Sequence, residues 1–204
     1  MVPSTPPPTT TTRSTARRIA DDVINGGYPR QVGEVRCFGC GGLVPDTGGP
    51  VHGYLLAAPG CWSLYTGLED WKTGLSGPRG IDAAQWTVDS YAVQHATNPD
   101  PRNRQSVAVH LMSLCAALEH GVPGIRLRVL LGSWTHRPGG YPLLEPRPQG
   151  YTITVRDVAD ADAAARAGVV RLWAEMTWSA WSAHHAQVRA WLAAPSRPGP
   201  GWPR

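Results

Sequence analysis

The stretch RCFGCGGLVPD, Arg36–Asp46, carries two cysteines separated by two residues and followed by two glycines. Two thiolates at this spacing can reach one metal ion, and small neighbours let backbone amides turn toward the sulfur atoms. Zinc normally takes four ligands, so two more must come from elsewhere in the chain. We expect this stretch to organise a glycine-rich segment of about residues 35–65, which we call the N-terminal lobe.

Two cysteines at the spacing of Cys37 and Cys40 also occur in redox and haem proteins. A thioredoxin-like redox pair stands where a strand meets a helix, whereas the GGLVPDTGGP that follows Cys40 cannot begin a helix. A c-type haem needs a histidine directly after the second cysteine, and Gly41 occupies that position. Unrelated free thiols remain an alternative, but a third cysteine in the same lobe favours zinc.

The remaining two ligands can be sought by spacing and position. Cys61 in APGCWSLY is the best third ligand, because a loop returning from the lobe could bring it back to the cysteine pair. His95, at the predicted end of a helix, is the expected fourth ligand, and His52 in GPVHGY is the close alternative. The predicted metal ligands are therefore Cys37, Cys40, Cys61 and His95.

Composition predicts one domain with irregular ends. The chain has 204 residues and a net charge of +4, and we expect a disordered leader over 1–30, a single helical domain over 31–194 and a flexible tail over 195–204. No apolar run approaches the ~20 residues of a membrane span, and the first thirty residues lack the apolar core of a secretory signal. We expect a cytoplasmic protein with no membrane partner and with reduced cysteines. Its arginines are scattered, which disfavours nucleic acid as a partner.

Two helices are predicted in the middle of the chain. The first spans 81–95, where residues on one face recur every 3.6 positions and bring Ala84 and His95 to the same side. The second spans 103–121, where a narrow apolar stripe is followed by Gly121, a residue that commonly ends helices.

The C-terminal part is also expected to be helical. A third helix is predicted over 162–192, and Thr154 is expected to form a cap with Asp157 before it. The segment 125–134 fits either a short helix or a strand, because periodicity does not separate the two. The predicted fold class is mainly α, a helical domain with an irregular Gly/Cys-rich N-terminal metal-binding lobe.

Several polar residues are candidates for chemistry. His184 lies within the apolar stripe of the third helix, where a buried imidazole must find partners for its ring nitrogens, so it is either bonded to the backbone or a base in a pocket. His110 flanks the stripe of the second helix and is either a half-buried structural residue or a ligand or general base. Asp89 could orient a histidine, although a surface acid is the simpler interpretation. Cys115 is explained by burial in the core.

Six motifs, taken in order, carry a resemblance: CFGCGGLVPD, VHGY, PGCW, TVDSYAVQH, RQSVAVHLMSLC and WSAWSAHHAQVRAWL. Over about residues 35–192 the chain resembles the bacterial family called domain of unknown function 5946. The resemblance implies no known activity, but it groups one set of residues: Cys37, Cys40, His52, Cys61, His95 and His110. Relatives carry a histidine eleven residues before the one matching His95, where this chain has Ala84. The difference implies either a lost ligand or an open coordination position.

Two classes of function fit these residues. The first is a metalloenzyme of bacterial metabolism, specialised metabolism included, that acts on a small molecule. Its metal is held by the four predicted ligands, with His52, His110 and His184 as catalytic residues lining a pocket. The second is a zinc-stapled binding module, in which the metal only fixes the lobe and the last helix, which bears arginine and tryptophan, is the contact surface. Zinc is the expected cofactor, although mixed Cys/His ligation also suits iron or copper. Either function is compatible with a homo-oligomer.

Overall fold

The computed structural model describes residues 33–96, 100–137 and 140–194. The predicted disordered leader over 1–30 and the predicted flexible tail over 195–204 lie outside the described residues, so both stay predictions.

The N-terminal lobe opens with a short hairpin that the sequence did not reveal. Strand β1 (Glu34–Arg36) pairs antiparallel with β2 (Leu43–Pro45), and Arg36 stands opposite Leu43. The loop between them, Cys37–Gly42, is what we call the knuckle. It is closed by hydrogen bonds from Cys37 N to Gly42 O and from Gly41 N to Cys37 O, both 2.8 Å, and Gly41 provides the positive φ of 75° that this turn requires.

The remainder of the described chain is mainly helical, as predicted. Its helices are α1 (Pro59–Thr66), α2 (Glu69–Gly74), α3 (Gly77–Gln94), α4 (Pro101–His120), α5 (Gly124–Trp134), α6 (Val155–Asp160), α7 (Arg166–Ala180) and α8 (His185–Ala193). Among these, none combines the length and the apolar character that a membrane crossing requires.

The two predicted middle helices are confirmed as α3 and α4, each beginning a few residues earlier than expected. The ambiguous segment 125–134 is helical in α5, and the predicted cap before α6 is present. The single helix predicted over 162–192 is wrong, because α7 ends at Ala180 and a 3₁₀ turn over Ser182–His184 precedes α8.

The break before α8 has a tertiary cause. The backbone N–H of His184 bonds to Trp181 O at 2.8 Å, which tightens the chain into the 3₁₀ turn. The ring Nε2 of His184 then donates to Pro146 O, also at 2.8 Å, and this bond holds the turn against the loop that precedes α6. The apolar periodicity of the sequence continues through this point and therefore does not reveal the break.

The helices enclose two apolar clusters. One lies among the long helices and includes the following buried residues: Leu111, Met112, Leu114, Cys115, Leu127, Ala174, Trp181 and Val188. The other lies under the lobe and includes these buried residues: Cys37, Cys40, Val44, Cys61, Leu68, Tyr91, Val155, Val170 and Trp173. Trp86 and Tyr151 pack against both clusters, so the lobe is continuous with the helical core. Cys115 belongs to the first cluster, as the sequence predicts.

Candidate metal centre

Four side chains from distant parts of the chain meet beneath the lobe. The Sγ atoms of Cys37, Cys40 and Cys61 and a ring nitrogen of His95 all lie within 4.8 Å of one another. Their residues are 1%, 1%, 0% and 0% exposed, respectively. Three thiols and an imidazole in a space closed to water form a donor set typical of structural zinc sites.

The separations between the donor atoms fit one tetrahedral ion. Cys37 Sγ lies 3.6 Å and Cys61 Sγ 3.4 Å from His95 Nε2, and Cys40 Sγ lies 3.9 Å from Cys61 Sγ. A tetrahedral zinc with Zn–S bonds of about 2.3 Å and a Zn–N bond of about 2.0 Å separates two sulfur atoms by about 3.8 Å and sulfur from nitrogen by about 3.5 Å. The four side chains are therefore compatible with a metal ion such as zinc.

The knuckle supplies two of the donors and has no room for side chains larger than glycine at its centre. A Cβ atom at Gly39 would lie 2.3 Å from His95 Cδ2 and 2.6 Å from Leu56 O. Only glycine at this position lets the imidazole approach the knuckle that closely. The thiol of Cys37 also accepts a hydrogen bond from the backbone N–H of Ala58, at 3.4 Å. That contact ties the knuckle to the residue that precedes α1.

The third donor lies in the first turn of α1. Pro59 opens this helix and Cys61 follows two residues later, so the thiol sits near the positive end of the helix dipole. That position favours a thiolate, but in the metal-free cluster the hydrogen bonds with Cys37 and Cys40 outweigh it and raise the pKa of Cys61. Between them, Gly60 lies against the end of β2, where a Cβ atom would come within 1.9 Å of Pro45 O. The glycine is required because the hairpin and α1 touch at this point.

The fourth donor stands at the C-terminal end of α3. His95 Nδ1 donates to Tyr91 O at 2.7 Å, one helical turn earlier, and this bond leaves Nε2 directed at the thiols. Metal-bound histidines in proteins are usually oriented by such a hydrogen bond from the other ring nitrogen. The side chain of Asn103 adds a second constraint, because its Nδ2 donates to His95 O at 2.9 Å and to Tyr54 O at 3.1 Å.

The cluster favours negative charge on one of its sulfur atoms. Hydrogen bonds from Cys40 and Cys61 hold the pKa of the Cys37 thiol well below its usual range, whereas hydrogen bonds with Cys37 and Cys40 raise the pKa of Cys61. Burial lowers the pKa of His95, but hydrogen bonds to Cys37 and Cys40 outweigh it and raise the value to about 9. Cysteine must lose its proton to bind metal, so a thiolate already stabilised in the apoprotein favours cation binding.

Aromatic rings cover the centre on the side of α3. The ring of Tyr91 lies 4.2 Å from that of His95, and Tyr65 stacks on Tyr91 at 4.0 Å. The buried Tyr91 hydroxyl has no hydrogen bond of good geometry to a described residue. Burial raises the pKa of Tyr91, and the neighbouring Cys61 raises it further. The phenol therefore stays protonated and able to donate toward the sulfur atoms.

His95 and His52, the two candidates for the fourth ligand, lie in different surroundings. His95 stands among the thiols, whereas His52 is half-buried at the edge of the lobe. His52 Nδ1 accepts from the backbone N–H groups of Tyr54 and Leu55 at 3.4 and 3.3 Å, so it organises its own turn. Burial lowers the pKa of His52, and the nearby charge of His95 adds to that effect.

His110 and His184, both predicted as catalytic, lie on other elements. His110 Nδ1 bonds to Asp89 Oδ1 at 2.7 Å, and Asp89 Oδ2 accepts from Ser113 Oγ, also at 2.7 Å. Asp89 is fully buried, so the expectation of a surface acid is wrong; it joins α3 to α4. His184 bonds Pro146 O in the break before α8, as described above. The structure does not bring these two histidines to the metal cluster, and their catalytic roles stay predictions.

A second group of potential ligands is unsuited to a cation. Cys115, Glu119 and His120 lie within ligand distance of one another at the end of α4. The Glu119 carboxylate, however, already accepts two hydrogen bonds of 2.7 Å from Arg189 and one of 3.1 Å from Trp178 Nε1. The guanidinium of Arg189 already neutralises this carboxylate, so we interpret the contact as an ion pair between α4 and α8.

The described part of the molecule has cavities away from the cluster. One lies between α3, the end of α4 and α7, beside Trp86 and Glu175; another lies between α4, α5 and α8, beside Leu130 and Leu192. A third is lined by the start of α4 and the loop before α6, including Arg104. None of these three is lined by His52, His110, His184 or a residue of the metal cluster.

The sequence pointed to the four residues that form the cluster, but not to the residues that orient them. Gly39 and Asn103 have no motif that marks them, since their roles depend on contacts made only in the folded chain. The spacing of Tyr91 and His95, one helical turn apart, was the one available signal for the bond between Nδ1 and the Tyr91 carbonyl. Ala84, where relatives are expected to carry a histidine, is buried on α3.

Comparison with known proteins shows how much of the chain one family covers, but it assigns no activity. A family model described as a family of unknown function, DUF5946, matches residues 35–182. The match includes all four donor residues and ends after α7. No curated protein and no solved structure matches the chain significantly.

Proposed function

The chain belongs to DUF5946, a family of unknown function whose model covers most of its length, and we propose that its domain is built on a structural zinc ion. The ion is held by Cys37, Cys40, Cys61 and His95. It fixes the N-terminal lobe to α3, and the stabilised domain acts as a binding module. This proposal rests above all on the closure of the four-donor cluster.

Closure distinguishes structural from catalytic metal sites. Catalytic zinc keeps a coordination position for water or substrate, whereas structural zinc is surrounded by four protein donors. Here four donors are available, each residue is at most 1% exposed, and the aromatic layer of Tyr91 and Tyr65 covers the α3 side. A buried tetrahedral set leaves no position for substrate, which supports a structural role.

The ion would connect segments that have little else to hold them together. The hairpin has three residues in each strand, too few to be stable alone in water. Binding of one ion to the knuckle, α1 and α3 crosslinks all three segments, and the binding free energy becomes folding free energy. In a reduced, metal-free protein the same donors are joined only by hydrogen bonds among the sulfur atoms and the His95 ring.

A metalloenzyme remains the second candidate, with His52, His110 and His184 as its catalytic residues. The observation that favours it is the Asp89–His110 pair, because a buried carboxylate that orients an imidazole is a common arrangement for a general base. His110 is 17% exposed in its side chain, so its ring can reach solvent. This candidate requires an open position on the metal or a site away from it.

The first experiment measures metal content by elemental mass spectrometry on untagged protein. We expect one equivalent of zinc in the wild type, none or far less in Cys40→Ser, and full content in Cys115→Ala, whose thiol is buried but lies outside the cluster. Well-folded wild type without metal would overturn the proposal. Stoichiometric iron or copper would keep the site and replace zinc as its ion.

A second experiment separates the structural from the catalytic role. Cobalt(II) in place of zinc reports coordination through its visible spectrum, and azide binds only to an open position. We expect a tetrahedral thiolate spectrum that azide leaves unchanged. A spectrum that shifts on titration with azide would show an open position and favour the metalloenzyme, in which case His110→Gln becomes the next variant to assay.

A further inference from the structure

A narrow cleft lies beside the backbone of His95. One of its walls carries the positive charge of Arg104, with which no described residue forms an ion pair. The cleft lies between the first turn of α4 and the loop before α6, and its polar wall is formed by Arg104, Arg147 and Asn103. Val107, Leu144 and the ring of Trp181 form the apolar wall. The indole N–H of Trp181 is engaged with Tyr151 Oη at 3.0 Å, so only its carbon face is presented to the cleft.

Arg104 is the unusual member of this wall. Its Nε atom is buried and makes no hydrogen bond to any described residue, and no other atom of its guanidinium group does so there either. Asp100 forms an ion pair with Arg102 at 2.8 Å. Hydrogen bonds from Arg102 lower the pKa of Asp100, and the charge of Arg104 makes only a small further contribution. A buried donor left without a partner costs about 1–3 kcal/mol, and more when the group is charged. Such a group in a native protein calls for an explanation, and a bound water, ion or ligand is one that the lining of this cleft allows.

The second guanidinium group in the cleft is already compensated. Arg147 NH1 donates to Ala96 O at 2.7 Å, and Arg147 Nε contacts Glu145 Oε1 at 2.8 Å. These two bonds hold Arg147 in place and leave its NH2 group for another acceptor. The charge in the cleft therefore sums to about one positive unit, located on Arg104. The start of α4 adds the partial positive charge of a helix N-terminus.

The shape of the cleft limits what can enter it. It encloses about 250 Å³ of free space counted out to its mouth, but its interior holds little more than one water molecule. One oxygen atom of a carboxylate or phosphate group fits that interior, and the rest of the ligand would lie at the mouth against Pro142 and Leu143. Arginine forms paired hydrogen bonds to both of these groups.

We propose that this cleft is a binding site for an oxyanion group, a carboxylate or phosphate carried by a small molecule, and that Arg104 is its principal ligand. The oxyanion accepts from Arg104 Nε and from Arg147, and its organic part packs on the apolar wall. Asn103 connects the cleft to the metal centre, because it lines the cleft and its Nδ2 bonds to His95 O. A ligand in the cleft thus contacts the chain beside the fourth metal donor. The site does not depend on the proposed zinc function.

The test is thermal denaturation of the full chain, purified with its metal, in sodium phosphate, sodium benzoate and sodium chloride at matched ionic strength. The variants are Arg104→Met, which keeps an unbranched stem of similar length, and Arg128→Met, a matched control on the exposed face of α5. We expect phosphate or benzoate to raise the midpoint of the wild type and of Arg128→Met more than chloride does. In Arg104→Met, the apparent affinity should fall at least tenfold.

Stability without an oxyanion gives an independent readout. Because the buried Nε donor of Arg104 is unpaired in the free protein, Arg104→Met in chloride should be at least as stable as the wild type. A response to benzoate alone identifies an organic acid as the ligand class, and a response to phosphate alone identifies a phosphate compound. Equal effects of all three salts, a full response in Arg104→Met, or a loss of stability of that variant in chloride would each overturn the proposal.

Discussion

At the scale of single residues, the metal centre depends on positions that lack any reactive group. Gly39 has no side chain, yet it determines whether the His95 imidazole can reach the thiols, because the ring edge lies where a Cβ atom would be. Gly60 is needed for a similar reason, because it lies against the carbonyl of Pro45 and a Cβ atom there would separate the hairpin from α1. These glycines are needed for close approach and not for a special φ.

Gly39→Ala should weaken zinc binding by about 10- to 100-fold, as loss of the residues that orient metal ligands generally does. The added methyl group must displace either the His95 ring or the Leu56 carbonyl. Competition with a chromogenic chelator measures the affinity. Gly53→Ala is the matched control in the same lobe, since a Cβ atom there meets nothing within 4 Å. Equal affinity in the two variants would contradict the packing argument.

The four residues of the cluster could be selected from the sequence because their chemistry is visible there. Cysteine is rare, so three of them in one lobe limit the choice, and His95 follows from helical position. Asp89 could not be placed in this way. It was expected at the surface because a carboxylate on a helix is usually solvated, and its burial depends on Gln85, His110 and Ser113, which come from two helices.

At the scale of elements, local signals predicted the cap of α6 and the ends of α3 and α4 better than the break between α7 and α8. The cap of α6 is an example: Thr154 Oγ1 accepts from Arg156 N at 3.3 Å, and Asp157 Oδ2 accepts from Thr154 N at 2.8 Å. Both hydrogen bonds join residues that lie within three positions of each other, so the sequence alone is enough to predict this cap. The break between α7 and α8 depends instead on Pro146, which lies far away in the sequence.

Thr154→Ala should therefore destabilise the protein by about 1 kcal/mol, the usual cost of losing an N-terminal cap. Chemical denaturation gives the free energy of unfolding. Thr73→Ala, which removes an exposed hydroxyl bonded to Asp70 O, should change it by less than about 0.5 kcal/mol. If both variants lost the same amount, the cap would have no special contribution.

A second element-scale prediction concerns the contact between the end of α4 and α8. The hydrogen bonds from Arg189 lower the pKa of Glu119 to about 2. The unfolded carboxyl titrates near its ordinary value of 4.5, so between these values the unfolded state binds more protons and stability falls on acidification. Glu119→Gln should cost about 1 kcal/mol at pH 7, because Arg189 is half-exposed and solvent screens the pair.

That cost should shrink as the pH falls from about 5 toward 2, where the wild-type carboxylate itself becomes protonated. Denaturation at several pH values measures it. Glu175→Gln provides the control, since its ion pair with Arg171 is exposed on one helix face and should contribute almost nothing. A difference between wild type and Glu119→Gln that is independent of pH would mean that packing, and not charge, is lost.

At the scale of the whole molecule, the two apolar clusters differ in what stabilises them. The cluster among the long helices is made of large aliphatic and aromatic side chains. The cluster under the lobe contains the three thiols and is bounded by short strands and short helices on one side and by α3 and α7 on the other. Without an ion, the second cluster should lose its order before the first does.

Hydrogen exchange can test this difference. On removal of the metal with a chelator, the amides of Cys37, Gly41 and Ala58 should lose protection, whereas those of the Leu111–Cys115 segment should keep most of it. Cys115→Ala with metal should retain slow exchange in the lobe. Uniform loss of protection over the whole chain would show instead that the metal is required for every helix, and unchanged protection would show that it is required for none.

The order in which the donors occur along the chain has a consequence for synthesis. His95 is the last of the four, and Ala193, the end of α8, follows almost a hundred residues later. At ~5–20 residues per second, a ribosome needs roughly 5–20 s to cover that distance. Trp173, which covers the lobe from α7, is made within this interval. An ion captured by the nascent chain can therefore hold the lobe before its apolar cover exists.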